Sequence, residues 1–380
     1  MKLPFCTHHI ITFLNRHGSC SQRKPLDLAL SEYFRQHKSL GAHDRRQIGA
    51  TIYSLIRWKG LLDHLYPQSI LAAERLERFE QLDWPKVLAN PKIPEAIRLG
   101  STPFFFTKLQ TAYGLAKARE LCKVLLSPAP IAIRANKLKT NREDLIARWE
   151  GKFTVSPSKH TPDGIIFSKR EALFALPEFK EGLFEMQDEG SQLVASLVQA
   201  QGGQHILDYC SGSGGKSLAF APAMGGRGQI YLHDIRPAAL IQAKQRFKRA
   251  GIQHAQFLPP DHPKLSELKG KMDWVLADVP CSGSGTLRRH PEMMWNIDEA
   301  LLQRLTLEQR KIFENALPYV RPGGRIVYAT CSILPEENEE QMRFFQSCHQ
   351  LTIEEKPLTI LPTEGGMDGF FAVTFRKEPI

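Results

Sequence analysis

Leu207-Asp208-Tyr209-Cys210-Ser211-Gly212-Ser213-Gly214-Gly215-Lys216-Ser217 is the stretch on which the reading of this 380-residue chain turns. An apolar run over 205–209 enters a glycine-rich turn and leaves it as a helical stretch over 215–223. Gly212, Gly214 and Gly215 allow a tight turn and let the backbone approach a ligand where side chains would clash. Two ligands suit such a turn. A phosphate loop reads Gly-x-x-x-x-Gly-Lys-Ser, which residues 210–217 satisfy except that Cys210 stands in the first glycine position. Asp278, after a later apolar run, could then serve as the magnesium-holding acid. A nucleoside-cofactor loop instead needs an acid about 20 residues on, for the ribose hydroxyls. Asp234 closes the next apolar run, 20 residues after Gly214. The missing glycine and the placement of Asp234 favour the nucleoside cofactor.

Outward from this turn the rhythm is regular. Apolar runs at 205–209, 229–234, 254–258, 273–279 and 325–330 alternate with helical stretches at 215–223, 237–250, 298–317 and 335–348. Such alternation predicts a doubly wound, Rossmann-like α/β sheet covered on both faces. The run 369–375 reads as a last, antiparallel edge strand. The third run ends at Pro259-Pro260-Asp261, where Asp261 is either a cofactor-binding acid or a helix N-cap before Pro263.

The first 126 residues are helical in pattern. Asp44 reads as the N-cap of one long helix carrying Ile48, Ile52, Leu55, Ile56, Leu61, Leu62 and Leu65 on one side. Residues 127–180 form a small α+β piece, with strands at 131–136 and 164–167 and a helix capped by Thr140 or Asn141. Three parts are therefore expected: a helical region over 1–126, the small piece over 127–180, and the alternating sheet domain over 181–380.

Charge separates the halves. Residues 1–180 hold 29 Lys+Arg against 16 Asp+Glu, while residues 181–380 hold 21 against 24. The whole excess of +10 thus sits in the first half, as in an enzyme delivered to a polyanion by a basic module. No apolar run reaches the length of a membrane span, and the N-terminus lacks the apolar stretch and cleavage site of a signal peptide. Seven cysteines are scattered without a Cys-x-x-Cys pair, which argues against a disulfide framework or structural zinc and for a reducing cytoplasm.

The chemistry concentrates in Asp273–Pro291, DWVLADVPCSGSGTLRRHP. A buried-strand pattern runs into Asp278, a Val279-Pro280 turn and Cys281, then a small-residue loop ending in Arg288, Arg289 and His290. Alone, Cys281 could be a structural cysteine. Cys331, however, follows the fifth apolar run in the same way. If those strands are neighbours, both thiols and Asp278 share the crevice where open α/β sheets bind ligands. A disulfide does not suit the cytoplasm, two cysteines without a spaced histidine make a poor metal site, and neither Ser213 nor Ser284 has the glycines of a hydrolase elbow. Covalent catalysis by a thiolate, with a second thiol for proton transfer, remains.

These residues resemble the Sun/Fmu family of RNA cytosine carbon-5 methyltransferases, which use S-adenosylmethionine. The resemblance runs from about residue 130 to the end. It includes PIAIRAN, QDEGSQL at 187–193, the loop at 210–216, DVPCSGSGTLRRHPE at 278–292, YATCSILPEENE at 328–339 and GGMDGFF at 365–371. The Pro-Cys and Thr-Cys motifs are its most specific part. The family loop usually reads Cys-Ala-Ala-Pro-Gly-Gly-Lys, whereas this chain has Ser211, Gly212 and Ser213 in the middle. DRRQIGATIYSLIRW more weakly resembles the helical RNA-binding region of members that modify small-subunit ribosomal RNA.

The resemblance implies that Cys331 adds to carbon 6 of cytosine, making carbon 5 nucleophilic. Asp278 would stabilise the electron-rich base and Cys281 would assist release. Cys210, Ser211, Gly212, Ser213, Gly214, Gly215, Lys216, Asp234, Asp261 and Asp278 would hold S-adenosylmethionine, with Lys216 also positioning catalytic groups. Arg288, Arg289 and His290 would face RNA phosphates, unless they form a solvated loop. No metal is expected. The expected substrate is structured RNA, ribosomal first and transfer RNA second, modified by a cytoplasmic monomer. A phosphate-loop NTPase and an inactive RNA-binding or assembly factor are the alternatives. ATP-magnesium binding without S-adenosylmethionine binding would favour the first of them.

Overall fold

The computed structural model describes residues 4–18, 25–69 and 71–378. The chain forms two units, one of residues up to Pro128 together with Thr286–Leu301, the other of Ala129–Gly285 with Leu302–Ile380.

The first unit is helical, with a core of Phe13, Tyr33, Ile48, Ile52, Ile56 and Leu62 among others. The long helix expected after Asp44 is two helices, Ala42–Arg57 and Lys59–Leu65, broken at Trp58. Asp44 is not its N-cap. Gly41 is, and Asp44 stands three residues on, accepting the Gly41 N–H at 2.9 Å. At the break Trp295 Nε1 donates to Ile56 O at 2.8 Å. The same indole lies on Gly60, where a Cβ would come within 2.7 Å of the ring.

Residues 286–301 were expected with the sheet domain and belong instead to this helical unit. Leu26 N–H donates to Glu292 Oε1 at 3.1 Å and Arg57 Nη2 to the Arg288 carbonyl at 2.9 Å.

The second unit holds both sheets, so the small α+β piece is not a body apart from the alternating domain. Strands β1 (Ile131–Ala135), β2 (Val155–Pro157), β3 (Gly164–Phe167) and β4 (Phe184–Met186) pair antiparallel in the order β2-β3-β1-β4. Trp149, Ile133, Ile165 and Phe184 fill its core. The helix Arg142–Arg148 is capped by Asn141, which accepts the Asp144 N–H at 2.7 Å.

The large sheet is built from β5 (His205–Asp208), β6 (Gln229–His233), β7 (Ala255–Leu258), β8 (Met272–Asp278), β9 (Val320–Thr330), β10 (Leu351–Ile353), β11 (Leu358–Ile360) and β12 (Phe370–Lys377). Its order is β10-β12-β9-β8-β5-β6-β7, with β11 pairing β12, and β5 to β9 run parallel. Alternate residues of each strand enter opposite cores. Ile206, Leu232, Leu276 and Val327 lie in one, and Leu207, Tyr231, Val275 and Ile326 in the other. The doubly wound expectation is met. The last strand is antiparallel as expected, but it lies inside the sheet between β9 and β10 rather than at an edge.

After β5 the chain winds outward through β6 and β7, then crosses back to place β8 on the other side of β5. The connections leaving β5 and β8 diverge at this reversal, which opens a crevice at the carboxyl ends of the strands.

Candidate active site

A cavity of about 950 Å³ occupies that crevice, lined by the 208–216 turn, Asp234, Arg246 and Asp278 among others. Gly214 explains why the turn is glycine-rich. Its φ of 75° is left-handed, and a Cβ there would stand 2.8 Å from the Phe247 ring. Asp234 Oδ2 accepts the Gly212 N–H at 2.8 Å, so the acid at the end of β6 also fixes the turn after β5. Arg236 closes on the same carboxylate at 2.9 and 3.0 Å. Burial acts to raise the Asp234 carboxyl, but the bonds from Arg236 and Gly212 outweigh it and hold the group below the ordinary range.

Asp208 is the buried acid of the site. Its Oδ2 accepts the Ser217 hydroxyl at 2.6 Å, while Oδ1 has no partner. Burial pushes its carboxyl up to about 7, against the opposing pull of the Ser217 bond. Burial also raises the Cys210 thiol, helped by Asp208, Asp278 and Asp234, so Cys210 stays neutral. Ser211 Oγ is likewise buried without a partner on the cavity wall. Unpaired buried oxygens beside a fixed acid and an open backbone turn suit a ligand bearing hydroxyl and ammonium donors.

Lys216, in the first turn of the helix Gly215–Phe220, forms an ion pair with Asp278 at the end of β8. Burial alone would lower the lysine, but the Asp278 charge and hydrogen bond raise it, so it remains an ammonium. Beyond this pair lie the two thiols. Cys281 Sγ and Cys331 Sγ are 3.3 Å apart, brought together because β8 and β9 are neighbours with Asp278 opposite Ala329. The thiols are unequal. The Cys281 hydrogen bond lowers Cys331 against the effect of burial, with the Lys216 charge acting the same way. The bond to Cys331 raises Cys281 well above the ordinary thiol range, and burial adds to it. The contact between them thus favours ionisation at Cys331 over Cys281, while either sulfur can donate the hydrogen bond. Asp278, Val279 and Pro280 line the cavity, whereas the thiols are not among its lining residues.

A buried network that the sequence did not announce holds the Cys281 loop. Glu337 is fully buried and accepts from Ser282 N–H at 2.8 Å, from the Ser282 hydroxyl at 2.5 Å and from Gln309 Nε2 at 3.0 Å. Ser284 and Ser332 hydroxyls meet at 2.9 Å, tying the two thiol-bearing loops directly. Within the run Pro335-Glu336-Glu337-Asn338-Glu339 nothing local marks one acid as buried.

Four expected site residues are placed elsewhere. Asp261 is exposed, lies outside the cavity lining and does not cap the next helix, whose N-cap is Pro263. Arg288 is 1 % exposed within the helical unit, so its guanidinium does not present itself to a phosphate. Arg289 and His290 are half-buried in the same unit, His290 Nδ1 lying 3.8 Å from Glu292.

Comparison with known proteins agrees with this geometry. Residues 195–376 match the model of the family described as 16S rRNA methyltransferase RsmB/F. Residues 103–173 match the RsmF/B-like ferredoxin-like domain. A probable ribosomal RNA small subunit methyltransferase B of Synechocystis sp. is 31% identical over 307 residues, covering 74% of this chain and 69% of the relative. The ribosomal RNA small subunit methyltransferase B of Enterobacter sp. is 31% identical over 346 residues, covering 87% and 76%. The Proteus mirabilis protein of the same name is 32% identical, and the match spans 59% of its length. Among solved structures, PH0851 superposes with a TM-score of 0.83 at 23% identity, covering 99% of this chain and 100% of its own. NSun6 from Pyrococcus horikoshii, solved with SFG, gives 0.63 at 20%, covering 73% and 98%. These two show the shared fold. The chain belongs to the RsmB/F family of ribosomal RNA methyltransferases, the Sun/Fmu group that its paired Pro-Cys and Thr-Cys motifs resemble.

Proposed function

We propose that this chain methylates carbon 5 of a cytosine in ribosomal RNA through a covalent bond between Cys331 and the base. The observation that carries the reading is the unequal thiol pair standing next to the Lys216–Asp278 ion pair at the crevice. A phosphate-loop enzyme needs its lysine on the phosphates, whereas Lys216 is held by Asp278. S-adenosylmethionine fits the residues of the cavity: Asp234 for ribose hydroxyls, the open turn at 210–216 for close backbone approach, and the unpaired oxygens of Asp208 and Ser211 for donors. When bound, it supplies a sulfonium methyl group open to attack by a carbon nucleophile.

The chain's own residues make that nucleophile. The Cys331 thiolate forms a bond to carbon 6, and the electrons of the carbon 5–carbon 6 bond move into the ring. Charge gathering on the ring nitrogen and amino edge is met by Asp278 and the proton it shares with Lys216. Carbon 5 is then enamine-like and bonds the methyl group, the electrons of the old methyl–sulfur bond staying on sulfur, so that it carries both methyl and hydrogen. Once Cys331 is bonded to carbon, its hydrogen bond to Cys281, the largest influence raising that thiol, is lost together with its charge, while burial still acts. Cys281 can now release its proton to solvent and, as the thiolate, take the carbon 5 proton. The electrons of that carbon–hydrogen bond restore the double bond as the Cys331–carbon 6 bond breaks. The base must leave its stack to reach these groups, and the basic first 180 residues are assigned to the RNA backbone.

The test uses Cys281→Ser and Cys331→Ser with an unmodified small-subunit rRNA transcript and S-adenosylmethionine. The reading expects a protein–RNA adduct on denaturing gels with Cys281→Ser, none with Cys331→Ser, and 5-methylcytosine in RNA treated with the unaltered protein. A methylated product at another atom, or full activity of Cys331→Ser, would overturn it.

A further inference from the structure

Arg246 stands on the helix Pro237–Ala250, far in sequence from the turn at 210–216, in a run Gln-Ala-Lys-Gln-Arg-Phe-Lys-Arg whose pattern suggests a solvated basic face. Its guanidinium is instead 20% exposed and fully engaged. Nη1 donates to both oxygens of Ser213, the carbonyl at 3.0 Å and the hydroxyl at 2.6 Å. Nε and Nη2 donate side by side to Glu185 Oε2 at 3.1 and 3.0 Å. Glu185, in the middle of β4, is 5% exposed, and its other oxygen accepts Arg249 Nη2 at 2.6 Å. Arg249 in turn lies 4.1 Å over the Phe179 ring.

The consequence is mechanical. The turn is held on one side by Asp234 through the Gly212 N–H and on the other by Arg246 through Ser213. The held residues Gly212 and Ser213 are themselves one left-handed glycine, at φ 53°, and the neighbour of another, Gly214 at φ 75°, and such glycines by themselves offer the backbone many conformations. A buried carboxylate that already faces two arginines sets the position of the guanidinium, and the planar fork transmits that position to Ser213. We infer that Arg246, fixed by Glu185 of the small sheet, is a positioning residue that holds the 210–216 turn in its S-adenosylmethionine-binding shape. Cofactor affinity thereby depends on the small α+β sheet as well as on the doubly wound one. The inference rests on the reading that this turn binds S-adenosylmethionine.

Isothermal titration calorimetry with S-adenosylmethionine tests it on the unaltered full chain and on Arg246→Lys, Ser213→Ala and the double variant. Lysine keeps the charge but cannot span Glu185 and Ser213 together. Arg246→Lys is expected to raise Kd about tenfold, equivalent to about 1.4 kcal/mol. In turnover assays KM for the cofactor should rise similarly while kcat at saturating cofactor falls less than threefold. The double variant should bind no more weakly than Arg246→Lys alone, because both changes remove one connection. Unchanged affinity in Arg246→Lys, additive losses in the double variant, or a fall in kcat at constant KM would each overturn the inference. Ser213→Ala, which deletes one oxygen and leaves the backbone intact, keeps the test meaningful if Arg246→Lys proves unstable: it should itself weaken binding, and wild-type affinity would count against the inference. Failure of the unaltered chain to bind S-adenosylmethionine would instead remove the cofactor reading beneath it.

Discussion

Cys281 Sγ lies 3.3 Å from Cys331 Sγ although 50 residues separate them in sequence. The contact makes two chemically identical groups unlike. The shared hydrogen bond acts oppositely on them, raising the Cys281 thiol and easing the ionisation of Cys331. In the proposed reaction the pair supplies a nucleophile and a proton-transfer group without a histidine between them.

Alkylation by iodoacetamide should reveal this difference. At neutral pH, peptide mass spectrometry should find Cys331 modified ahead of Cys281, with a rate-against-pH midpoint below the ordinary thiol range. Cys281→Ala removes the hydrogen-bond partner that lowers Cys331, so the midpoint should move upward. A midpoint that stays in place would show that Lys216, rather than Cys281, sets the ionisation.

Lys216→Met should leave the fold intact and the chemistry impaired. It removes the cation paired with Asp278 and the charge that favours the Cys331 thiolate. A loss of about 10²-fold or more in kcat is expected. A single-turnover assay at saturating RNA and cofactor reads it. A change confined to KM would place Lys216 in binding only.

Glu337→Ala should be the most destabilising of the changes considered. It removes the acceptor of the Ser282 N–H and one acceptor each of the Ser282 hydroxyl and Gln309 Nε2, which keep Ser332 and the Pro280 carbonyl. Leaving buried donors unpaired costs about 1–3 kcal/mol each, less where the site relaxes. Thermal denaturation should show a clear drop in midpoint for alanine and a smaller one for Glu337→Gln, which keeps one acceptor oxygen.

Asp208 links stability to pH in a definite direction. Its carboxyl is raised in the folded chain to about 7 from an ordinary 3.8, so the folded state binds the proton more tightly than the unfolded state. Its contribution is complete below the ordinary value and is lost as pH climbs through about 7. Asp208→Asn retains an acceptor for Ser217 without the charge. Its melting midpoint should therefore gain on the unaltered chain between about pH 4 and about pH 7, the window between the unfolded and folded values. Parallel curves across that window would mean that Asp208 does not carry the linkage.

Much of this was legible in the chain before any coordinate. The period of two in the strands, the period near four in the helices and the glycine turn are local properties, each set by neighbours within a few residues. They sufficed for the doubly wound sheet, for Asp234 at the turn and for thiols at the ends of two strands. Other features depended on which distant segments meet. The separation of the thiols follows from the adjacency of β8 and β9. The burial of Glu337 within a run of acids and the use of Arg246 as a brace arise from partners 55 and 61 residues away. Residues 286–301 read as a continuation of the sheet domain and yet belong to the helical unit, where Trp295 donates to Ile56 O at the break after Arg57. Asp261 had an acid's credentials at a strand end, and the path of the chain after β7 left it outside the cavity. Backbone periodicity is written in adjacent residues and survives without a fold. The partner of a charge, a thiol or an unpaired carbonyl is chosen by strand order and crossover, which exist only once the whole chain has packed.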